Sequence, residues 1–262
     1  MNNDNWGERA RIGMFIVGSE VVPEAEWQAM VPPGVSVHAA RVTAPTPWAP
    51  WRADRQGVDL SDDLARGCHQ FAAMQLSAVV IGHTSSSVVG GKGWDEAVTA
   101  EMREILGSSA PVSTNGMDTI AGLKAVGAKR PFLVAPAWFG DTAVEAAVRY
   151  YSEHGFDPAG HIRYDPGERW RHLAPEDLYA HGIAVAQEIM PLYRQIVAAC
   201  PPDADAVFIG GTGFRCVAII EAIEEALGRP VVTANQASLW RGLRLGGLDA
   251  KVQHYGKLLT LR

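Results

Sequence analysis

The sequence predicts an α/β protein made of two duplicated, pseudo-symmetric lobes with parallel sheets and a cleft between them. Three observations carry this: a long internal repeat, an alternation of short apolar strands with amphipathic stretches, and small-residue loops that recur in register. The run Ala78-Val79-Val80-Ile81-Gly82-His83-Thr84-Ser85 returns as Ala206-Val207-Phe208-Ile209-Gly210-Gly211-Thr212-Gly213. Pro111-Val112-Ser113-Thr114-Asn115 answers Pro230-Val231-Val232-Thr233-Ala234-Asn235, and Gly122-Leu123-Lys124 follows Asn115 at the same spacing as Gly242-Leu243-Arg244 follows Asn235. A repeat running from Arg11 to Gly127 and again from Arg130 to Gly247 is far longer than the ~20–50 residues of a solenoid unit, so it marks two lobes.

Taken in chain order, residues 1–10 form a polar N-terminal extension, 11–127 the first lobe and 128–262 the second, with its C-terminal segment. Arg11 to Val17 reads as the opening strand and Arg130 to Ala135 as its counterpart, each basic and then apolar. A helix is expected to begin near Pro23. The apolar runs at 78–81 and 206–209 are strands that break into tight turns, and Ala143–His154 and Ile183–Ala199 read as amphipathic helices. Such alternation signals parallel β/α units with both sheet faces covered. Proline and glycine mark the joints at Pro32-Pro33-Gly34, Pro45 to Pro50 and Pro201-Pro202, and Asp165 to Pro175 reads as a loop. Ligands gather at the carboxyl ends of parallel strands, so the loops at His83–Ser87 and Gly210–Gly213 are expected to face one pocket.

Composition narrows the function. A formal net charge of −6 offers no basic field for nucleic acid. The polar start lacks a signal-peptide core, and no apolar run approaches the ~20 residues of a membrane span, so a cytoplasmic enzyme with a small-molecule substrate is the expectation. Cys68, Cys200 and Cys216 show no CxxC pairing and read as reduced thiols, with Cys216 a packing residue inside a helical stretch. The histidines lack HxH or HExxH spacing, and neither a full GxxxxGK[ST] nor a GxGxxG pattern is present, so no metal and no cofactor are expected.

The first loop gathers His83, Thr84, Ser85, Ser86 and Ser87 into one strand-to-helix turn, where hydroxyls and backbone N–H groups make an anion cradle. The second, Gly211-Thr212-Gly213, is nearly all backbone and reads as the opposing wall. The alternative is that small residues merely permit tight turns. His83, with an ordinary pKa of about 6.5, is the expected acid/base group. Glu20, just past the first strand, is its expected partner, either holding the His83 ring or acting as base; Glu20 or Glu24 capping the next helix is the competing role.

Arg11-Ile12-Gly13 through Ser19 and Glu24, His83 to Ser87, Gly211-Thr212-Gly213-Phe214-Arg215, Pro230 to Ala237, Trp240 and Tyr255-Gly256 together resemble the aspartate/glutamate racemase superfamily. The nearest branch is that of maleate cis-trans isomerases and arylmalonate decarboxylases, and the likeness covers essentially the whole chain. The resemblance implies paired Rossmann-like lobes, a cofactor-free site in the cleft, proton transfer at a carbon beside a carboxylate, and a homo-oligomer. Where the family usually places one or two thiols, this chain has His83 and Gly211. Val17-Gly18-Ser19-Glu20 replaces a Pro-Ser-Ser-Asn turn, and Ala135-Pro136-Ala137-Trp138 replaces Thr-Pro-Tyr, which makes Trp138 an expected apolar wall. Decarboxylation-type enolate chemistry survives these changes best, with His83 supplying the proton and Thr84, Ser85, Ser86, Gly211, Thr212 and Gly213 binding substrate. Two alternatives stay open: hydrolytic opening of a cyclic imide, amide or lactone by Glu20 and His83, and a non-catalytic binding protein.

Overall fold

A computed structural model describes residues 5–107 and 110–261; residues 1–4 of the N-terminal extension, and Arg262 of the second lobe, lie outside them. Two four-stranded parallel sheets make up the architecture. The first comprises β1 (Ala10–Val17), β2 (Val35–Val42), β3 (Ala78–Ile81) and β4 (Val112–Thr114) in the order β2-β1-β3-β4. The second comprises β5 (Pro131–Ala135), β6 (Gly160–Arg163), β7 (Ala206–Ile209) and β8 (Val231–Thr233) in the order β6-β5-β7-β8. The repeat in sequence is thus a repeat in topology. β3, β5 and β7 are buried along their whole length, as strands covered on both faces should be.

Helices alternate with the strands: α1 (Val22–Met30), α2 (Asp62–Ala72), α3 (Thr84–Gly90), α4 (Trp94–Leu106) and α5 (Asn115–Ala125) in the first half. In the second come α6 (Asp141–Glu153), α7 (Pro175–Leu178), α8 (Ile183–Ala186), α9 (Ile189–Ala199), α10 (Ile220–Leu227) and α11 (Ala234–Leu245). The stretch Ile183–Ala199 is therefore not one helix. It breaks at Gln187, whose backbone is extended, because the Gln187 side chain is spent on the Arg215 backbone, donating to its carbonyl at 2.9 Å and accepting its N–H at 3.2 Å. Cys216 likewise lies outside any α-helix, just before a 3-10 turn at Val217–Ile219. α1 does begin next to Pro23, but no side chain caps it; Glu24 pairs with Arg41 instead.

Each lobe closes on the other through its last helix. Gly122 of α5 comes so near the second sheet that a Cβ there would sit 3.3 Å from Val232, and a Cβ at Gly242 of α11 would sit 3.3 Å from Val80 and 3.4 Å from Ile12 in the first. The duplicated Gly-Leu-Lys/Arg motif is thus the signature of two helices pressed onto the opposite sheets. Thr114 and Thr233 cap these helices, each accepting a bond from the N–H three residues on. No described helix is long and apolar enough to cross a membrane.

Candidate active site

In the strand order β2-β1-β3-β4 the chain leaves β1 toward both sides, so a crevice opens between the carboxyl ends of β1 and β3; the second sheet repeats this at β5 and β7. Four loops follow those four strand ends. They bring together Val17 and Glu20 after β1, His83, Thr84 and Ser85 after β3, Trp138 and Phe139 after β5, and Gly211, Thr212 and Gly213 after β7, around a cavity of about 160 Å³. Tyr179, next to α7, completes the lining. Every residue expected from the sequence to form the site lines this cavity except Ser86, which lies behind His83. Among the described residues neither lysine nor arginine lines it.

Glu20 is 5% exposed and reaches across the lobes. The Thr212 hydroxyl donates to its Oε2 at 3.3 Å, and the Tyr179 hydroxyl donates to the same carboxylate. Burial outweighs these donors and the Arg41 charge, and raises its pKa from 4.5 to about 7. Arg41 reaches the loop from β2 and donates to the Glu20 carbonyl at 2.7 Å, which fixes the backbone rather than the carboxylate. Gly213 leaves room for the arrangement, since a Cβ there would fall 2.7 Å from Glu20 Oε1 and 2.9 Å from the Tyr179 hydroxyl.

His83 is not held by Glu20. Its Nδ1 lies 2.8 Å from the Ser86 hydroxyl, and its ring stacks on Trp48 with centroids 4.2 Å apart and planes 15° from parallel. Burial lowers its pKa from 6.5 to about 3, so the ring is neutral at physiological pH. A second expectation is also qualified. The Thr84 hydroxyl donates to Asn115 Oδ1 at 2.7 Å and accepts the Gly211 N–H at 3.2 Å. It is therefore a strut between the lobes, and the Gly211 N–H is taken up with it. Ser85, half-buried at the first turn of α3, keeps its hydroxyl for the cavity, beside N–H groups that have no acceptor within the helix. Gly211 adopts φ +93°, a backbone that disfavours any side chain, and a Cβ there would approach Pro136 to 3.0 Å. A cysteine at this position would be strained.

Behind the cavity the second lobe is keyed to the first by Glu26 of α1. Its carboxylate accepts the N–H groups of Cys216 (2.7 Å) and Val217 (3.0 Å) and the Asn235 amide (2.7 Å). Cys216 is buried outside the cavity lining, and burial pushes its thiol well above the usual range, so nothing there activates it as a nucleophile. Among the described residues no group of three or more His, Cys, Asp and Glu side chains is placed to hold a metal ion.

Tyr179 and Phe139 in the lining, and Trp48 behind His83, are site residues that sequence reasoning missed. Tyr179 lies in a polar stretch without periodicity. Trp48 sits in the proline-rich joint Pro45–Pro50, where a large apolar residue in a loop was the signal that it must be buried against something.

Comparison with known proteins agrees with the fold. The family described as arylmalonate decarboxylase matches residues 53–259. The chain is 29% identical over 176 residues to the arylmalonate decarboxylase of Bordetella bronchiseptica, covering 67% of this chain and 68% of that protein. It is 26% identical to the maleate isomerase of Nocardia farcinica across 95% of both chains. Among solved structures, the maleate isomerase Iso of Pseudomonas putida S16 superimposes with a TM-score of 0.78 at 19% identity, covering 96% of this chain and 98% of that one.

Proposed function

The chain belongs to the arylmalonate decarboxylase family and is an enzyme of isomerase or lyase type, and on that premise we propose that it works without a cofactor through an enolate-type intermediate, with Glu20 as the proton-transferring group. The observation that carries this reading is the Glu20 carboxyl, buried between the lobes, hydrogen-bonded by Thr212 and Tyr179, and held at a pKa of about 7. A group poised near neutrality both gives and takes a proton efficiently. The sequence pointed to His83 for that task, but an imidazole with a pKa of about 3 is not an imidazolium at neutral pH, and its remaining ring N–H is too weak an acid to protonate carbon. Its exchangeable hydrogen serves instead as a donor to the oxyanion.

In the lyase direction, loss of carbon dioxide breaks a carbon–carbon bond and leaves the electron pair as an enolate on the remaining carbonyl. The Ser85 hydroxyl, the His83 ring and the first-turn N–H groups of α3 stabilise that charge as it forms. Glu20 in its acid form then passes its proton to carbon and is reprotonated from solvent. In the isomerase direction the same carboxyl, ionised, removes a proton beside the carbonyl and returns it. Trp138 and Phe139 supply a wall for a planar substituent.

A dicarboxylate would bring two full charges into a buried cavity without a lysine or arginine, next to an acid. Desolvating them uncompensated is costly, which favours a small planar substrate with a single carboxylate beside a carbonyl: a β-keto acid or a malonate half-ester.

The test is proton NMR in D₂O against β-keto acids, arylmalonates, their half-esters, maleate, lactones and cyclic imides. Deuterium is expected at the α-carbon as carboxylate is lost, and Glu20→Gln is expected to lower turnover by roughly 10²–10⁴. Ring opening of lactones or imides without deuterium at carbon would make the chain a hydrolase and overturn the reading.

A further inference from the structure

Ser86 is fully buried, does not line the cavity, and takes no part in the chemistry above. Its oxygen accepts the backbone N–H of Trp48 at 3.0 Å and lies 2.8 Å from His83 Nδ1. We propose that Ser86, together with Trp48, is a positioning pair that fixes His83 in the tautomer with its hydrogen on Nε2, so that the ring presents a hydrogen-bond donor to the reacting oxygen. This rests on the enolate reading for its purpose, but not for its physical basis.

The proton count on the Ser86 oxygen decides the tautomer. That oxygen already accepts one hydrogen from Trp48, and His83 Nδ1 is the one acceptor that the described structure offers to the hydroxyl hydrogen. With Nδ1 as acceptor, the Trp48 N–H and the Ser86 hydroxyl hydrogen are both paired, and the ring hydrogen sits on Nε2, which faces the cavity. In the opposite tautomer Nδ1–H would donate to the same oxygen, and the Ser86 hydroxyl hydrogen would be left without an acceptor in a fully buried position, an arrangement native structures avoid. Trp48 contributes twice. Its backbone N–H occupies one side of the Ser86 oxygen and sets the hydroxyl's direction, while its indole, stacked at 4.2 Å, covers one face of the ring and keeps water from it. Burial holds the imidazole neutral, so that one ring nitrogen is left to accept. Nε2 has no protein partner among the described residues, and His83 lines the cavity, so the donor is free for a ligand.

The pair explains why the first loop carries serine at position 86. A neutral donor strengthens as negative charge grows on the oxygen it faces, without neutralising the carbanion ahead of Glu20. The substrate consequence is a preference for developing enolate charge over a charge already present in the ground state.

The experiment is long-range ¹H–¹⁵N correlation NMR of the ligand-free protein labelled at histidine, at pH 7, with His83→Gln to identify the His83 signals among those of the eight histidines. The expected result is a protonated Nε2 and an unprotonated Nδ1 in wild type, a mixed or inverted pattern in Ser86→Ala, and recovery of the wild-type pattern in Ser86→Thr, which restores the hydroxyl. A protonated Nδ1 or an imidazolium in wild type would overturn the proposal, as would a wild-type pattern in Ser86→Ala. Should Ser86→Ala fail to fold, Ser86→Cys, whose S–H is a weak donor, gives the same comparison. Because no substrate is present, a failed enolate reading and a failed tautomer lock give different results: the first shows as missing deuterium incorporation, the second in these spectra.

Discussion

At the scale of single residues, the site is governed by what burial does to two titratable groups in opposite directions. Desolvation disfavours the charged form of each, so it raises the Glu20 carboxyl to about 7 and lowers the His83 imidazole to about 3. The result inverts the assignment that ordinary pKa values suggest. The Glu20 shift has a consequence for stability. Between 4.5 and 7 the folded chain holds a proton on Glu20 that the unfolded chain has released, so stability falls as pH rises through that window, and the loss is complete above about 7. Glu20→Gln removes this dependence. Urea unfolding of variant and wild type is expected to show the variant gaining on wild type between pH 5 and pH 8, by at most about 3 kcal/mol; a difference that stays constant over that range would contradict the assignment. The positions of Glu20 and His83 were legible in the sequence because each follows a strand. Their protonation was not, because it depends on burial, to which Trp48, stacked behind His83, and Tyr179, lining the cavity, contribute from segments with no repeat and no period.

At the scale of elements, the exchange of α5 and α11 between the two sheets holds the cleft in shape. Asn115 donates from its amide to the Ala234 carbonyl and the Ser238 hydroxyl, both at 2.9 Å, and accepts the Thr84 hydroxyl that in turn receives the Gly211 N–H. This chain of bonds ties the first loop to the second through the helix N-termini. Gly122 and Gly242 permit the approach. Gly122→Ala places a methyl 3.1 Å from Leu258 and 3.3 Å from Val232, and is expected to lower stability by about 1–3 kcal/mol through overpacking, despite alanine's better helix propensity. A thermal unfolding midpoint equal to or above that of wild type would show that the helix has slack at this point. The sequence displayed the two glycines at identical spacing, but a glycine signals close approach without saying to which sheet. The single helix expected over Ile183–Ala199 failed for a related reason: its apolar periodicity is real on both sides of Gln187, and what interrupts it is a bond to Arg215, far along the chain.

At the scale of the whole molecule, duplication supplied a symmetric scaffold that the side chains then made asymmetric. The two sheets have the same strand order and the same strand-end loops, and this was legible from the repeated apolar runs alone. The chemistry was not duplicated: one side of the cavity carries Glu20, His83 and Ser85, and the other Trp138 and the bare backbone of Gly211 and Gly213. That division gives a polar wall where charge develops and an apolar wall where a planar group rests. The account stands or falls on Glu20 being the group that titrates within the cavity near neutrality. Carbon-13 NMR of the protein labelled at glutamate carboxyl carbons, with Glu20→Gln to identify the signal, measures this directly. A Glu20 midpoint near 7 is the predicted result, and a midpoint near 4.5, the ordinary value for glutamate, would contradict it.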